Sequence, residues 1–187
     1  MAHLEEVDVA AGDDGPLRLP EQYVIRPHQD FRGYAGRIAG GTVAAGDPLK
    51  ILPSGQEATV SQVYVGEVAQ DRASAGQSVS VTLQGEFDIS RGDMLVAADK
   101  PAEIADQFRA TIIWMDQREM LPGRAYIMKT EGRSATAKLA KPRFRINVNN
   151  YEQQPVDTLA LNDIASCNIS LDRAIAFDSY ETNRTTG

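Results

Sequence analysis

A chain of 187 residues has room for one large domain or for two of about 85–90 residues, each near the lower end of comfortable core burial. Hydrophobic residues at 42% and charged residues at 24% are ordinary for a folded soluble protein, and no apolar run approaches the roughly 18 residues of a membrane helix, so a helical transmembrane span is excluded. A net charge of −7 excludes a whole-molecule basic field for nucleic acid, and the lone Cys167 excludes a disulfide framework.

The amino end, MAHLEEVDVAAGDDG, carries five acids and neither Lys nor Arg. It is the opposite of a secretory signal, and a cytoplasmic location is expected. Residues 10–16 are small, acidic and rich in Gly and Pro, so residues 1–16 read as a tail and linker, with the fold beginning near Leu17. From there apolar residues recur at two-residue spacing over 22–25, 34–39, 48–52, 58–65, 78–83 and 94–97. Gly40-Gly41, Gly46-Asp47-Pro48, Pro53-Ser54-Gly55, Ala75-Gly76 and Arg91-Gly92-Asp93 separate these pieces with the positive backbone angles and fixed proline angles of tight reversals. A second set covers 107–114, 125–130, 134–139, 144–150 and 165–171, with turns at Leu121-Pro122-Gly123 and Glu131-Gly132. No helical stripe of eleven residues competes. The fold class is therefore all-β: two tandem barrels, over 17–101 and 102–187, since short strands at eight-to-twelve-residue spacing favour closure and closure removes exposed edges.

The search for chemistry is mostly eliminative. Gly33, Gly36, Gly40 and Gly41 cluster, but a phosphate-cradling P-loop needs G-x-x-x-x-G-K-[ST] running into a helix, and this spacing does not occur. Metal ligation would rest on His3, His28 and Cys167, too few imidazoles and thiolates for a zinc or haem site. Cys167 stands in a strand-like context and reads as a small buried hydrophobe, and Arg91-Gly92-Asp93 as a turn. No catalytic, cofactor-binding or metal residue is assigned. The one electrostatic anomaly is the stretch from Arg124 to Arg145, with seven basic residues against Glu131 alone, so the rest of the chain sums to −13. Lys129, Arg133, Lys141, Arg143 and Arg145 alternate with apolar residues, which fits a solvated outer barrel face, a protein partner or, less well because aromatics are sparse, nucleic acid. Arg26, Phe31 and Arg32, in a loop on a rigid barrel, are contact candidates of the same kind.

The run Arg32-Gly33, Gly36, Gly40-Gly41, Val43 and Gly46-Asp47 resembles the second domain of translation-factor GTPases of the elongation factor Tu type. Together with Leu19-Pro20, Arg26-Pro27, Leu52-Pro53-Ser54-Gly55, residues 88–96 and Leu161-Asn162, it resembles more closely the large, GTP-binding subunit of sulfate adenylyltransferase, alone or fused to adenylylsulfate kinase. That resemblance implies barrels equivalent to domains 2 and 3 of the translation factors. It also implies a parent using GTP, ATP and magnesium, in which GTP hydrolysis drives a small adenylylating subunit to make adenosine 5′-phosphosulfate from ATP and sulfate. The family's nucleotide-binding residues lie in a GTPase domain with no counterpart here. The resemblance therefore implies an excised, inactive fragment whose partners are that GTPase domain and the adenylylating subunit, and whose second barrel lacks its last strand, leaving an open edge for self-association. The alternative is a translation-factor fragment whose barrels bind tRNA or protein.

Overall fold

The computed structural model describes residues 15–28, 31–130 and 133–187. Most of the expected amino-terminal linker (residues 1–14), Asp30 of the loop before Arg32, and the expected Glu131-Gly132 turn lie outside the described residues. The described chain is all β, as the period-two pattern requires, with sixteen strands.

Two compact units are formed. The first takes residues up to Ile104 together with Thr130–Arg133 and Ala176–Gly187; the second takes Ala105–Lys129 and Ser134–Ile175. In the first lie β1 (Arg18–Pro20), β2 (Tyr23–Ile25), β3 (Gly33–Arg37), β4 (Thr42–Ala44), β5 (Pro48–Leu52), β6 (Gln56–Val65), β7 (Val68–Gln70), β8 (Arg72–Ser74), β9 (Ser78–Leu83) and β10 (Met94–Ala97). Their order β1-β10-β5-β6-β9-β3-β2 is antiparallel at every pairing. Arg18 bridges to Gly40, just beyond β3: its N–H donates to Gly40 O and its carbonyl accepts from Ala39 N–H, which curls the sheet back on its first strand and closes a barrel. Inside it, Val60, Val63, Val81, Ile51, Leu49, Leu95 and Tyr34 are buried in one cluster. They alternate with outward residues along each strand, as a closed antiparallel sheet demands.

The second unit takes in most of β11 (Glu103–Ile113) and β16 (Ile164–Phe177), with β12 (Ala125–Lys129), β13 (Ser134–Leu139), β14 (Phe144–Ile146) and β15 (Gln153–Gln154). The order is β12-β13-β16-β14-β15, with β11 on β16. Its core gathers Met120, Leu139, Leu159, Ala165 and Cys167.

One turn recurs four times. In Ala44–Asp47, Ser74–Gln77, Ser90–Asp93 and Ala160–Asp163 the fourth residue's N–H donates to the first residue's carbonyl, and its side-chain oxygen accepts the first residue's N–H at 2.6–2.8 Å. The third residue is Gly46, Gly76, Gly92 or Asn162, with φ between 69° and 90°. Gly and Asn are the residues that tolerate this angle, and a carboxylate or amide at the fourth position locks the reversal. Each turn feeds directly into a strand, so these glycines and acids set where β5, β9, β10 and β16 begin.

Candidate interaction surfaces

The basic stretch is split by its surroundings. Lys129 ends β12 and is exposed, as are Arg143 and Lys141; Lys141 is paired with Asp157, and both are well solvated. Arg145 is half-buried on β14 and donates to Asp163 Oδ1 (3.2 Å) and Gln154 Oε1 (2.9 Å), which ties it to the turn before β16. Arg133 belongs to the first unit, where it is ion-paired with Asp93. Its stem lies on Gly92, where a Cβ would come within 2.6 Å of the Arg133 Cβ. Arg145 and Arg133 thus hold structure, while Lys129 and Arg143 carry no ion pair among the described residues and remain solvent-facing cations.

Arg26 is exposed just after β2. Phe31 is half-buried and meets Tyr64 edge-on at 5.9 Å between ring centroids, with His28 6.1 Å away. Arg32 lies over the Tyr34 ring at 5.6 Å, and its Nε is buried without a hydrogen-bond partner among the described residues. Such aromatic and cation–π contacts are each worth about 0.5–1.5 kcal/mol, enough to hold Phe31 and Arg32 on the barrel.

Two features had no signal in the sequence. The first is Glu21, only 1% exposed, whose two carboxylate oxygens have no hydrogen-bond partner among the described residues. Its main chain brackets the Gly92-Asp93 turn: Glu21 N–H donates to Asp93 O, and Gly92 N–H donates to Glu21 O. Burial, reinforced by the Asp93 charge and opposed by Arg91, pushes its carboxyl up to about 7. The second is Arg18, whose guanidinium forms a two-pronged pair with Asp178 (Nε–Oδ2 2.7 Å, Nη2–Oδ1 2.8 Å) and donates to the Leu17 and Lys100 carbonyls at 2.9 Å. Burial alone would push the Asp178 carboxyl up; hydrogen bonds from Arg18 and Thr186 outweigh it and hold the group below the ordinary range. With Asn183 Nδ2 donating to Ala39 O, the carboxyl-terminal segment is bolted to the first barrel. A lone Glu beside Pro20 and an Arg–Asp pair 160 residues apart look like any surface charges in a linear reading.

Cys167 is fully buried, and burial raises its thiol above the usual range, away from nucleophilic use. Among the described residues no three His, Cys, Asp or Glu side chains are grouped to hold a metal ion, and no helix is long and apolar enough to cross a membrane.

Residues 107–187 match the family of GTP-eEF1A C-terminal domain-like sequences. Bifunctional enzyme NodQ of a Rhizobium species is 45% identical over 190 residues, which take in 100% of this chain and 29% of that protein. Bifunctional enzyme CysN/CysC of Xylella fastidiosa is 42% identical over 97% of this chain and 29% of its own length. Sulfate adenylyltransferase subunit 1 of Teredinibacter turnerae is 38% identical over 100% of this chain and 40% of its own. Among solved structures, sup35 complexed with GMPPNP superposes with a TM-score of 0.82 at 14% identity, over 100% of this chain and 46% of that one. Elongation factor SelB of Methanococcus maripaludis in its apo form gives 0.75 at 17% identity, over 95% and 40%. Those identities establish the translation-factor-like barrel fold and nothing more, whereas the sequence relatives are close from end to end. The chain spans only 29–40% of the length of these relatives, and over its own length it is similar to sulfate adenylyltransferase subunit 1 and to the bifunctional NodQ and CysN/CysC enzymes.

Proposed function

We propose that this chain is the non-catalytic β-barrel region of a GTP-using sulfate adenylyltransferase subunit. In the whole protein it would couple GTP hydrolysis to synthesis of adenosine 5′-phosphosulfate from ATP and sulfate, in the cytoplasm. The observation that carries this reading is the end-to-end identity of 38–45% with relatives bearing that name or a bifunctional one, in a chain whose sequence contains no G-x-x-x-x-G-K-[ST] loop. A P-loop holds phosphate and magnesium through its backbone N–H groups, Lys and Ser/Thr; in this reading GTP, ATP and magnesium are assigned no residue here and the chain alone is expected to be inactive.

A coupler needs rigid bodies whose contacts differ between nucleotide states, and β-barrels supply such bodies without catalytic groups. Its partners in this reading are the GTPase domain and the small adenylylating subunit, and a free strand edge of the second barrel offers self-association as a further contact. Arg26, Phe31, Arg32, Lys129, Arg133, Lys141, Arg143 and Arg145 are the interface candidates; Lys129 and Arg143, solvent-facing and without ion pairs among the described residues, are the foremost. Calorimetric titration of the chain with the adenylylating subunit of its own organism tests this. Saturable binding, weakened several-fold in a Lys129→Glu/Arg143→Glu double variant, is the expected result. No heat with that subunit, together with salt-dependent binding of tRNA, would replace this reading by the translation-factor one.

A further inference from the structure

Two acidic side chains meet where β1 ends and β10 begins, and the fold treats them differently. Asp93 is supplied with partners: its Oδ2 accepts the Ser90 N–H at 2.8 Å, and its Oδ1 is ion-paired with Arg133. Glu21 is 1% exposed, and neither of its carboxylate oxygens has a hydrogen-bond partner among the described residues. A buried carboxylate without donors is costly as an anion, and a second anion close by raises that cost. With one proton to place between the two, Asp93 is the anion and Glu21 the acid.

Glu21 is also joined by its main chain to the turn on which Arg133 sits. Its N–H donates to Asp93 O at 2.8 Å, and its carbonyl accepts the Gly92 N–H at 2.9 Å. Gly92 is the floor under Arg133: a Cβ there would lie 2.6 Å from the Arg133 Cβ and 2.9 Å from its Cγ. The backbone that places the buried carboxyl therefore also shapes the seat of an arginine belonging to the same unit. Asp93 and Arg91 act on Glu21 from this turn. Of the charged residues on the neighbouring strands, Arg18 of β1 is committed to Asp178, and Arg37 of β3 is exposed and held on the Gly76 carbonyl at 3.1 Å. Arg91 is exposed, and it is the cation to which an ionised Glu21 would turn on leaving the interior.

We propose that Glu21 is a proton-controlled latch for Arg133. Protonated, it stays buried and holds the Gly92-Asp93 turn as the seat of that arginine; ionised, it turns out toward Arg91, the turn loosens and Arg133 is released to solvent. Every group involved belongs to the first unit, so the latch stands or falls independently of the sulfate adenylyltransferase reading. Burial pushes the Glu21 carboxyl up to about 7, with Asp93 adding to the rise and Arg91 opposing it. That value lies above the ordinary 4.5, so the latched form has its full advantage below 4.5 and loses it as the pH rises through 7. A proton that binds one of two conformations more tightly shifts the population between them, as any ligand does. The sister turn Ala44–Asp47 supplies a built-in comparison: Gly46 has the same φ of 90°, but its N–H donates to Val60 O at 2.8 Å rather than to an acidic residue.

The test is NMR of the isotopically labelled chain from about pH 5.5 to about pH 8, following the Glu21 side-chain carboxyl carbon, the Arg133 Nε–H and the hydrogen exchange of the Gly92 and Gly46 amides. The expected result is that the carboxyl carbon and the Arg133 Nε–H titrate with one shared midpoint at about 7. Over the same range the protection of Gly92 relative to Gly46 should fall about tenfold or more. In Glu21→Gln, which keeps the shape and cannot ionise, neither Arg133 nor the Gly92-to-Gly46 ratio should respond to pH. Arg91→Met, at an exposed position, should move the Glu21 midpoint upward by removing the cation that favours the anion. A Glu21 carboxyl that does not titrate in this range, or one that titrates without a response at Gly92 and Arg133, would overturn the latch. So would a response that survives in Glu21→Gln, or a midpoint that Arg91→Met leaves in place or lowers.

Discussion

The two units use the same strand chemistry to different depths. Among the described residues the first gathers sixteen buried hydrophobic residues in one cluster, the second five. The second also leaves Ile113, Met115, Ile127, Val148 and Tyr151 largely exposed. At roughly 25 cal/mol per Å² of apolar surface removed from water, a core a third as populous leaves far less to set against chain entropy. The first unit thus has the larger core, and it is also the one that takes in distant pieces of chain, Thr130 and Arg133 and the carboxyl-terminal segment. Cross-links of that kind raise the stability of what they join, whereas the second unit relies on its sheet and on surface ion pairs such as Lys141–Asp157, worth about 0–1 kcal/mol each.

The largest expected effect breaks the advantage of the first unit. Asp178→Ala leaves the Arg18 guanidinium buried and uncompensated, a loss of about 3–5 kcal/mol, read as a lower denaturant midpoint. Trp114, the chain's single tryptophan, packs edge-on against Tyr126 in the second unit, so its fluorescence reports that unit. The Asp178 variant should move the far-ultraviolet dichroism transition and leave the tryptophan transition where it was. A common shift of both would show that the units melt together and would erase the contrast. Because the Asp178 carboxyl is held below its ordinary value of 3.8, its contribution is present above that value and is lost as the pH falls through the lowered one.

Leu159→Ala is the converse experiment. Leu159 is fully buried in the small core, and deleting it should cost about 2–4 kcal/mol, enough to unfold the second unit and shift the tryptophan transition first. Gly92→Ala strikes the turn clamped by Arg133: the φ of 90° disfavours a side chain, and the Arg133 stem occupies the space. A loss of about 1–3 kcal/mol is expected. Calorimetric Tm values for these variants and for Gly46→Ala, whose site is open, separate the steric part from the backbone part.

A smaller effect has a pH signature. The folded-state Glu21 carboxyl titrates near 7 against an ordinary 4.5. The folded form therefore holds the proton more tightly, and stability on this account is full below pH 4.5 and falls as the pH rises to 7. Glu21→Gln should match the parent near pH 4.5 and exceed it at pH 8, measured by urea unfolding at the two pH values. Equal differences at both would show that Glu21 acts through shape rather than charge. Smallest of all, Lys129→Ala should change stability by under about 0.5 kcal/mol, as for any solvated lysine.

Much of this architecture could be read from the residues themselves. Period-two segments at 48–52, 78–83, 94–97 and 134–139 coincide with β5, β9, β10 and β13, because alternation is imposed directly by a sheet with one dry face. The Gly46-Asp47 and Gly92-Asp93 turns were equally visible, since few residues tolerate the angle they need. β1, β4, β7 and β8 were not visible: at three residues each, they are too short to show a period and exist through their partners. β16 runs to Phe177 rather than Leu171, past Asp172 and Arg173, whose exposure on the strand makes their charge harmless. Of the interface candidates in 129–145, Lys129, Lys141 and Arg143 are exposed, whereas nothing in the alternation showed that Arg133 and Arg145 are half-buried and already engaged. The Arg18–Asp178 clamp and the buried Glu21 depend on three-dimensional neighbours that no local pattern encodes.

The claim on which the functional reading stands is that these barrels transmit rather than catalyse. Isothermal titration of the chain with magnesium GTP addresses it most directly. No binding heat at concentrations up to a millimolar is the result expected of a polypeptide without a phosphate-cradling loop. Stoichiometric, magnesium-dependent binding would contradict it, because a nucleotide site would then have to be built from the barrel residues described above.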